Sequence, residues 1–451
     1  MAVLTPEAAR ANTNWFILFR ICFIARFYYP VYTILFLDYG LTLEQFGLLN
    51  VIWAITIVLL EVPSGALADT LGRRNLLMLT GIFMVIEMGL LLIAPINGGW
   101  VLFGLFALNR ILSGAAEAAA SGADEALAYD SLKRAGIEDQ WPRVLEQVQR
   151  YSSIAFFVAM LLGASVYDPN LVNKLGSLLG LDWAFSKQDL IKMPIWLTMG
   201  TAVITLFAAT RMCECMSTAE IAEGKSHFSE TVKQCFEKTV SAGHWIWVTA
   251  LPFSIIGACM ILDSVVRQYL TLASEYYRII DYPVASFGII GSCLALLGLF
   301  VPSIARYMDA RASPMQNFLA VAVLVLLGLI GLSFAIPYWG IIPSIILHTA
   351  FTLMNFFVSA NLNKAAPSEQ RATILSFKGL TNNIAYGVIG IFYSLLIMGI
   401  KADKEIDPAN GEIPTAVQQS IYVEALAWFP GYFLVTLLIF VAVYCLRFRK
   451  S

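Results

Sequence analysis

The sequence predicts an all-α membrane protein with twelve transmembrane helices in two pseudo-symmetric six-helix bundles. Three observations predict it. Of 451 residues, 59% are hydrophobic and 13% charged, whereas an ordinary soluble domain is roughly half apolar and a quarter charged. The apolar excess arrives in blocks of roughly 20 residues, the length a helix needs to cross a hydrocarbon core of about 30 Å; barrel strands would run about 10 and alternate. The basic residues are the third observation. With both termini assigned to the cytoplasm, 18 of the 29 Lys and Arg fall on that side and six on the other: Lys174, Lys187, Lys192, Arg278, Lys401 and Lys404. That is the bias of the positive-inside rule.

Hydropathy places spans near 14–37, 44–68, 75–96, 100–128, 148–167, 193–211, 246–275, 284–304, 315–336, 339–363, 370–400 and 420–446. The first follows a polar start, "MAVLTPEAARANTN", with no small-residue cleavage site, so it is expected to be a retained span and not a signal peptide. Between spans 6 and 7 lies the longest cytoplasmic connection, 212–245. Within it Phe228, Val232, Cys235, Phe236 and Val240 share one helical face, which predicts an interfacial helix; docking of a soluble partner is the alternative. The expected organisation is a bundle over 1–211, a cytoplasmic linker with an amphipathic helix over 212–245 and a second bundle over 246–451. A net charge of −2 makes no case for nucleic acid. Seven scattered cysteines, with Cys213 and Cys215 as a lone C-x-C, read as small hydrophobes. With only His227, His244 and His348 available, no metal site is expected, and no cofactor.

The halves echo each other. "ARFYYPVYTILFLDYGLTLEQFGLL" starts within span 1, and "VRQYLTLASEYYRIIDYPVASFGII" starts its counterpart in span 7. In each an arginine precedes Phe-Gly by 20 residues, Arg26 to Phe46 and Arg267 to Phe287. Farther on, "PSGALAD" (63–69) is answered by "PSIARYMD" (302–309). Two matches in register point to two structural repeats with a site at their interface near the midplane.

After span 2 comes "GALADTLGRR", residues 65–74, which reads G-x-x-x-D-x-x-G-R-[KR]. Gly65 suits close helix approach, and Gly72 a tight turn at the cytoplasmic surface. Asp69 suits a neighbouring helix N-terminus, and Arg73 and Arg74 can reach acids on adjacent loops. The stretch resembles the signature loop of the major facilitator superfamily without a departure. The resemblance implies a two-bundle secondary transporter in which this loop is a conformational latch. It implies Asp130, in "ALAYDSL", as partner of Arg73, and the start of span 11 ("PSEQRAT", 367–373) as partner of Asp69. The bland alternative is that these charges only set topology.

Span 4 adds "RILSGAAEA" (110–118), whose Arg110-x-x-x-Gly114 resembles the superfamily motif in which a buried arginine assists proton coupling. Arg110, Glu117 and Asp124 are seven residues apart in turn, so a continuous helix puts them on one stripe with Gly114 and Ser121. Simple neutralisation of Arg110 by Glu117 is the alternative. Span 5 reads "SSIAFFVAMLLGASVYD", with Gly163 and no proline. It departs from the G-x-x-x-G-P motif of proton-driven drug exporters in the superfamily, which disfavours drug antiport.

A charge at mid-bilayer costs at least about 2.5–3.5 kcal/mol, so it faces a cavity or a partner. Arg26 lies about 18 Å along span 1, near the midplane, whereas Arg20 is half as deep and can snorkel. On a continuous helix the two are roughly 240° apart. Arg26 and its repeat mate Arg267 suit bidentate binding of a carboxylate or phosphate, with Lys378 as a third positive group and Tyr28, Tyr29, Tyr32 and Asn355 for orientation. The pair resembles the span-1 and span-7 arginines of organophosphate–phosphate exchangers in the same superfamily. Internal pairing is the equal alternative: Asp263 stands four residues before Arg267, and Glu61 or Glu87 can neutralise Arg26.

The resulting expectation is a secondary transporter for a small organic anion, coupled to protons or counter-exchange through Arg110, Glu117, Asp124, Glu87 and Asp263. It is expected to be a monomer in the lipid bilayer of a bacterial inner membrane. The competitors are a proton-coupled exporter of apolar or cationic compounds and a transport-dead receptor or assembly factor on the same fold. No nucleophile–base pair supports an enzyme.

Overall fold

In the computed structural model, residues 5–214, 228–365, 371–405 and 414–448 are described. Among them no strand occurs, and 12 helices are long and apolar enough to cross a membrane. By length and composition the spans are Pro6–Asp38, Leu43–Glu61, Arg73–Ile93, Gly99–Arg134, Glu138–Tyr167, Lys187–Arg211, Ala250–Ile279, Ser286–Asp309, Pro314–Ser333, Ile341–Leu362, Ser376–Asp403 and Thr415–Phe448. They are spans 1 to 12 below.

Two compact units emerge. The first holds Met1–Gly40, Ile55–Glu237 and Val284–Ser292; the second holds Leu41–Ala54, Lys238–Pro283 and Cys293–Ser451. In the first unit span 3 packs on spans 4 and 6, and span 1 on spans 4, 5 and 6. In the second, span 9 packs on spans 10 and 12, and span 7 on spans 10, 11 and 12. Every pairing therefore has its counterpart six spans later. The Phe-Gly echo gains a physical reason as well. A side chain at Gly47 would strike Ser394 in the second unit, and one at Gly288 the Met160 carbonyl in the first. Each glycine is what lets two backbones approach.

The core of the first unit is built around Phe16, Phe19, Leu76, Leu77 and Met84 against the alanine-rich end of span 4. Ala116, Ala119 and Ala120 are small enough for span 4 to lie close to its neighbours. Large apolar side chains such as Leu59, Ile93, Leu438 and Leu446 stay exposed, as a hydrocarbon-facing surface requires.

Four details depart from the hydropathy reading. First, the polar start is itself helical from Pro6, capped by Thr5, which accepts from Ala8 N–H at 3.2 Å. Part of its polarity is internal: Asn12, 2% exposed, donates to Ser131 Oγ at 2.6 Å and to the Cys213 carbonyl at 3.1 Å. Second, span 1 is broken. Its helix stops at Ile24 and resumes at Tyr32 after a 3₁₀ turn over Tyr29–Val31. Pro30 has no N–H for the Arg26 carbonyl, and its ring would clash there in a continuous helix; Tyr29 N–H takes that carbonyl instead, at 3.2 Å. Third, span 4 is broken at Gly122, whose φ of 74° is left-handed. Fourth, the helix expected in the linker runs Phe228–Val248, past the anticipated end, with Phe236 and Val240 exposed and Ala242 and Ile246 buried.

Candidate functional site

The break in span 1 places Arg26 where no regular helix surrounds it. Non-helical backbone at membrane depth survives only where protein or a water-filled cavity satisfies its polar groups. Span 6 supplies the partners: Phe27 N–H donates to Thr198 Oγ1 at 3.0 Å, and Thr201 Oγ1 donates to the Ala25 carbonyl at 3.1 Å. Span 5 supplies room. A Cβ on Gly163 would run into the Phe27 carbonyl, so glycine is the side chain that lets the break seat.

Arg26 is 3% exposed and ion-paired with Glu87 of span 3, which is fully buried. It also donates to Tyr28 Oη at 3.3 Å and sits 5.4 Å from the Phe23 ring centroid. A second link carries the network into span 4. Asn109 donates to the Glu87 backbone carbonyl at 2.8 Å, and its Oδ1 accepts from Arg110 Nε at 3.0 Å and an Arg110 terminal nitrogen at 2.9 Å. The other terminal nitrogen of Arg110 donates to Tyr32 Oη at 2.7 Å, with the guanidinium 5.5 Å from the Phe36 ring. Tyr29, by contrast, keeps 42% exposure while packing edge-on to Tyr28 and Tyr32.

The expected Arg110–Glu117–Asp124 stripe is corrected by the break at Gly122. It stops at Glu117, which is exposed, with no hydrogen bond or ion pair to its carboxylate among the described residues. Asp124 begins a separate helix, Ala123–Arg134, and is 1% exposed. It pairs with Arg20 at 3.0 Å, so Arg20 does not merely snorkel to water. Of the two acids considered for Arg26, Glu87 is the one that meets it. Glu61 lies elsewhere, its carbonyl taking the Ser64 hydroxyl at 2.8 Å.

In the second unit Arg267 is held from its own helix by Asp263, one turn back, and donates to Asn383 Oδ1 of span 11 at 2.9 Å. Its side chain keeps 26% exposure, against 3% for Arg26. The guanidinium carbon lies 5.3 Å from the Tyr386 ring centroid. Tyr386 Oη is in turn 3.0 Å from Thr271 Oγ1. Lys378, in the same span 11, is half-buried and near enough to Asp263 to act on it electrostatically. Asn355 spends its amide on the Phe351 carbonyl of its own helix at 3.0 Å and takes no part in this cluster.

At the motif loop, Gly72 takes φ 86°, a conformation that favours glycine. Arg73 pairs with Asp130, and Arg74 reaches span 6: its N–H donates to Glu214 and its guanidinium to the Thr210 carbonyl, each at 2.8 Å. The side chains of Gly65 and Asp69, and most of the 367–373 stretch expected to meet Asp69, lie outside the described residues. No group of His, Cys, Asp and Glu able to hold a metal occurs among the described residues.

Sequence reasoning missed Asn109, Thr198, Thr201 and Asn383. A proline inside a span was the readable signal for Thr198 and Thr201, since it announces a break whose backbone groups need partners.

The chain was compared with known proteins. Its fold is similar to that of a nucleoside transporter, NupG, with a TM-score of 0.68 at 15% identity, covering 97% of this chain and 99% of that one. It is similar to a bacterial homologue of the human lysosomal transporter Spinster in an inward-facing, unoccupied conformation, with a TM-score of 0.64 at 15% identity over 100% and 98%. A D-xylose–proton symporter matches with a TM-score of 0.59 at 12% identity over 94% and 96%. No curated protein sequence matches the chain. Residues 15–391 match the model of one family, and with the spans, their repeat and the loop at Gly72 already described, the chain belongs to the Major Facilitator Superfamily.

Proposed function

We propose that the chain is a secondary active transporter of a small organic anion of the carboxylate or phosphate type, working by alternating access with proton or counter-anion coupling. One observation carries the reading: at mid-span, Arg267 keeps a partly accessible guanidinium that is neutralised by a carboxylate of its own helix. Asp263 occupies the electrostatic place a substrate carboxylate would take. Protonating Asp263 releases the guanidinium, so one proton and one anion enter together without burying net charge. Lys378 adds attraction from span 11. Arg26, in the first unit, follows the same logic through Glu87. Arg110, through Asn109, joins the Glu87 network to Tyr32. The Arg73–Asp130 pair serves as the conformational latch of the cytoplasmic side, with both termini on that side.

The test is uptake into proteoliposomes holding the full chain under an imposed proton gradient. Arg267→Ala should abolish anion uptake, and Asp263→Asn should keep anion exchange while losing drive by the gradient. Wild-type uptake by Arg267→Ala would overturn the reading.

A second reading has its own observation. Glu117 presents an accessible carboxylate within a span, and that favours a proton-coupled exporter of cationic compounds. Thermal stabilisation by organic cations and not by anions, lost in Glu117→Gln, would select it.

A further inference from the structure

The neighbourhood of Arg267 holds two aromatic side chains that the anion reading does not use. Span 2 brings one of them. Its first half lies against span 11 in the same unit, where Gly390 leaves so little room that a Cβ there would come 2.8 Å from Val51 Cγ2, and Gly387 faces Ala54. This approach sets Trp53 edge-on to Tyr386, ring centroids 6.3 Å apart at 88°. Tyr386 is 3% exposed, with the guanidinium beside its ring and its hydroxyl spent on Thr271. Trp53 differs: it is half-buried, and among the described residues no hydrogen bond to its indole N–H is seen. Tryptophan at membrane depth ordinarily satisfies that donor or sits at the interface. Trp53 does neither, ten residues into its helix from Leu43. Two ring-scale steps, 5.3 Å and 6.3 Å, lead from the guanidinium carbon to the indole. An arylcarboxylate or aryl phosphate bridges such a distance, its charge at one end and its ring face at the other.

We infer that the anion held by Arg267 carries an aromatic ring that packs on Trp53, beside Tyr386. The inference rests on the anion reading and narrows it. A flat conjugated body gains from the indole face, which a saturated ring of the same size cannot match. Aromatic pairs gain about 0.5–1.5 kcal/mol beyond area burial, which corresponds to roughly twofold to twelvefold in affinity.

The experiment uses the full chain purified in detergent and three matched probe pairs: benzoate, phenylacetate and phenyl phosphate against their cyclohexyl counterparts. Affinity is read by thermal stabilisation and by tryptophan fluorescence. The expected result is tighter binding of the aryl member by about twofold to twelvefold, shrinking to parity in Trp53→Leu and retained in Trp53→Phe. Equal affinities within every pair on the wild-type protein would overturn the aromatic inference and leave the anion reading standing. Absence of binding by all six probes, or unchanged binding in Arg267→Ala, would overturn the anion reading itself. Because the paired comparison needs no variant, it decides the matter even where Trp53→Leu fails to fold.

Discussion

Removing Glu87 should damage the protein far more than removing the Arg26–Glu87 pair together. Both side chains are out of water, at 3% and 0% exposure. Glu87→Ala leaves a guanidinium buried among Phe23 and Tyr28 without its ion-pair partner. Breaking one side of a buried pair costs about 3–5 kcal/mol, whereas replacing both partners by well-packed neutral groups is often neutral or better. At roughly 2–4 °C per kcal/mol for a unit of 150–250 residues, the single change should lower the melting temperature by about 6–20 °C. Arg26→Gln with Glu87→Gln should recover most of that loss. Recovery falls short by the contacts Arg26 also makes with the Tyr28 hydroxyl and the Phe23 ring, each worth about 1 kcal/mol. The assay is intrinsic-fluorescence melting of the purified protein in detergent, with size-exclusion profiles as the check on folding. A Glu87→Ala protein that melts within 1–2 °C of wild type (about 0.5 kcal/mol) would refute the reasoning. So would a double variant no more stable than the single one.

Two further expectations follow from the first unit. Gly163→Ala should cost about 1–3 kcal/mol by pushing its methyl into the Phe27 carbonyl, seen as a lowered melting temperature; Gly104→Ala, which meets open space, is the control and should be neutral or slightly stabilising. Asp130→Asn should change stability by no more than about 1 kcal/mol, because its pair with Arg73 is 21% and 32% exposed. It should nevertheless alter how fast a cysteine placed on the cytoplasmic side is labelled, and unchanged labelling would remove the latch role.

The twelve spans were legible because hydropathy integrates over some 20 residues, and no local detail alters that sum. Both helix breaks escaped it for the same reason. A window of some 20 residues averages across Ala25–Tyr28 and Ser121–Gly122, where the backbone breaks. Pro30 and Gly122 were visible as letters, but the partners that seat the broken backbone are far away in the chain. Glu87 was nameable as a partner of Arg26 because few acids lie within spans. Asp124 as the partner of Arg20 was not, since the heptad spacing from Arg110 suggested a continuous helix that Gly122 interrupts. Asn12 falls in a stretch that hydropathy marks only as a polar start, because hydropathy records polarity and not what a polar side chain is bonded to.

The interruption in span 1 also has a historical consequence. Pro30 removes a donor, Thr198 and Thr201 replace the bonding it disturbs, and Gly163 vacates the volume the displaced carbonyl fills. None of the four is useful alone. A lineage that lost Pro30 would gain a straight helix and release the other three positions at once, while one that kept it could not drift at Gly163. Related chains should therefore sort into two groups, those retaining all four residues and those retaining none, with few intermediates between them.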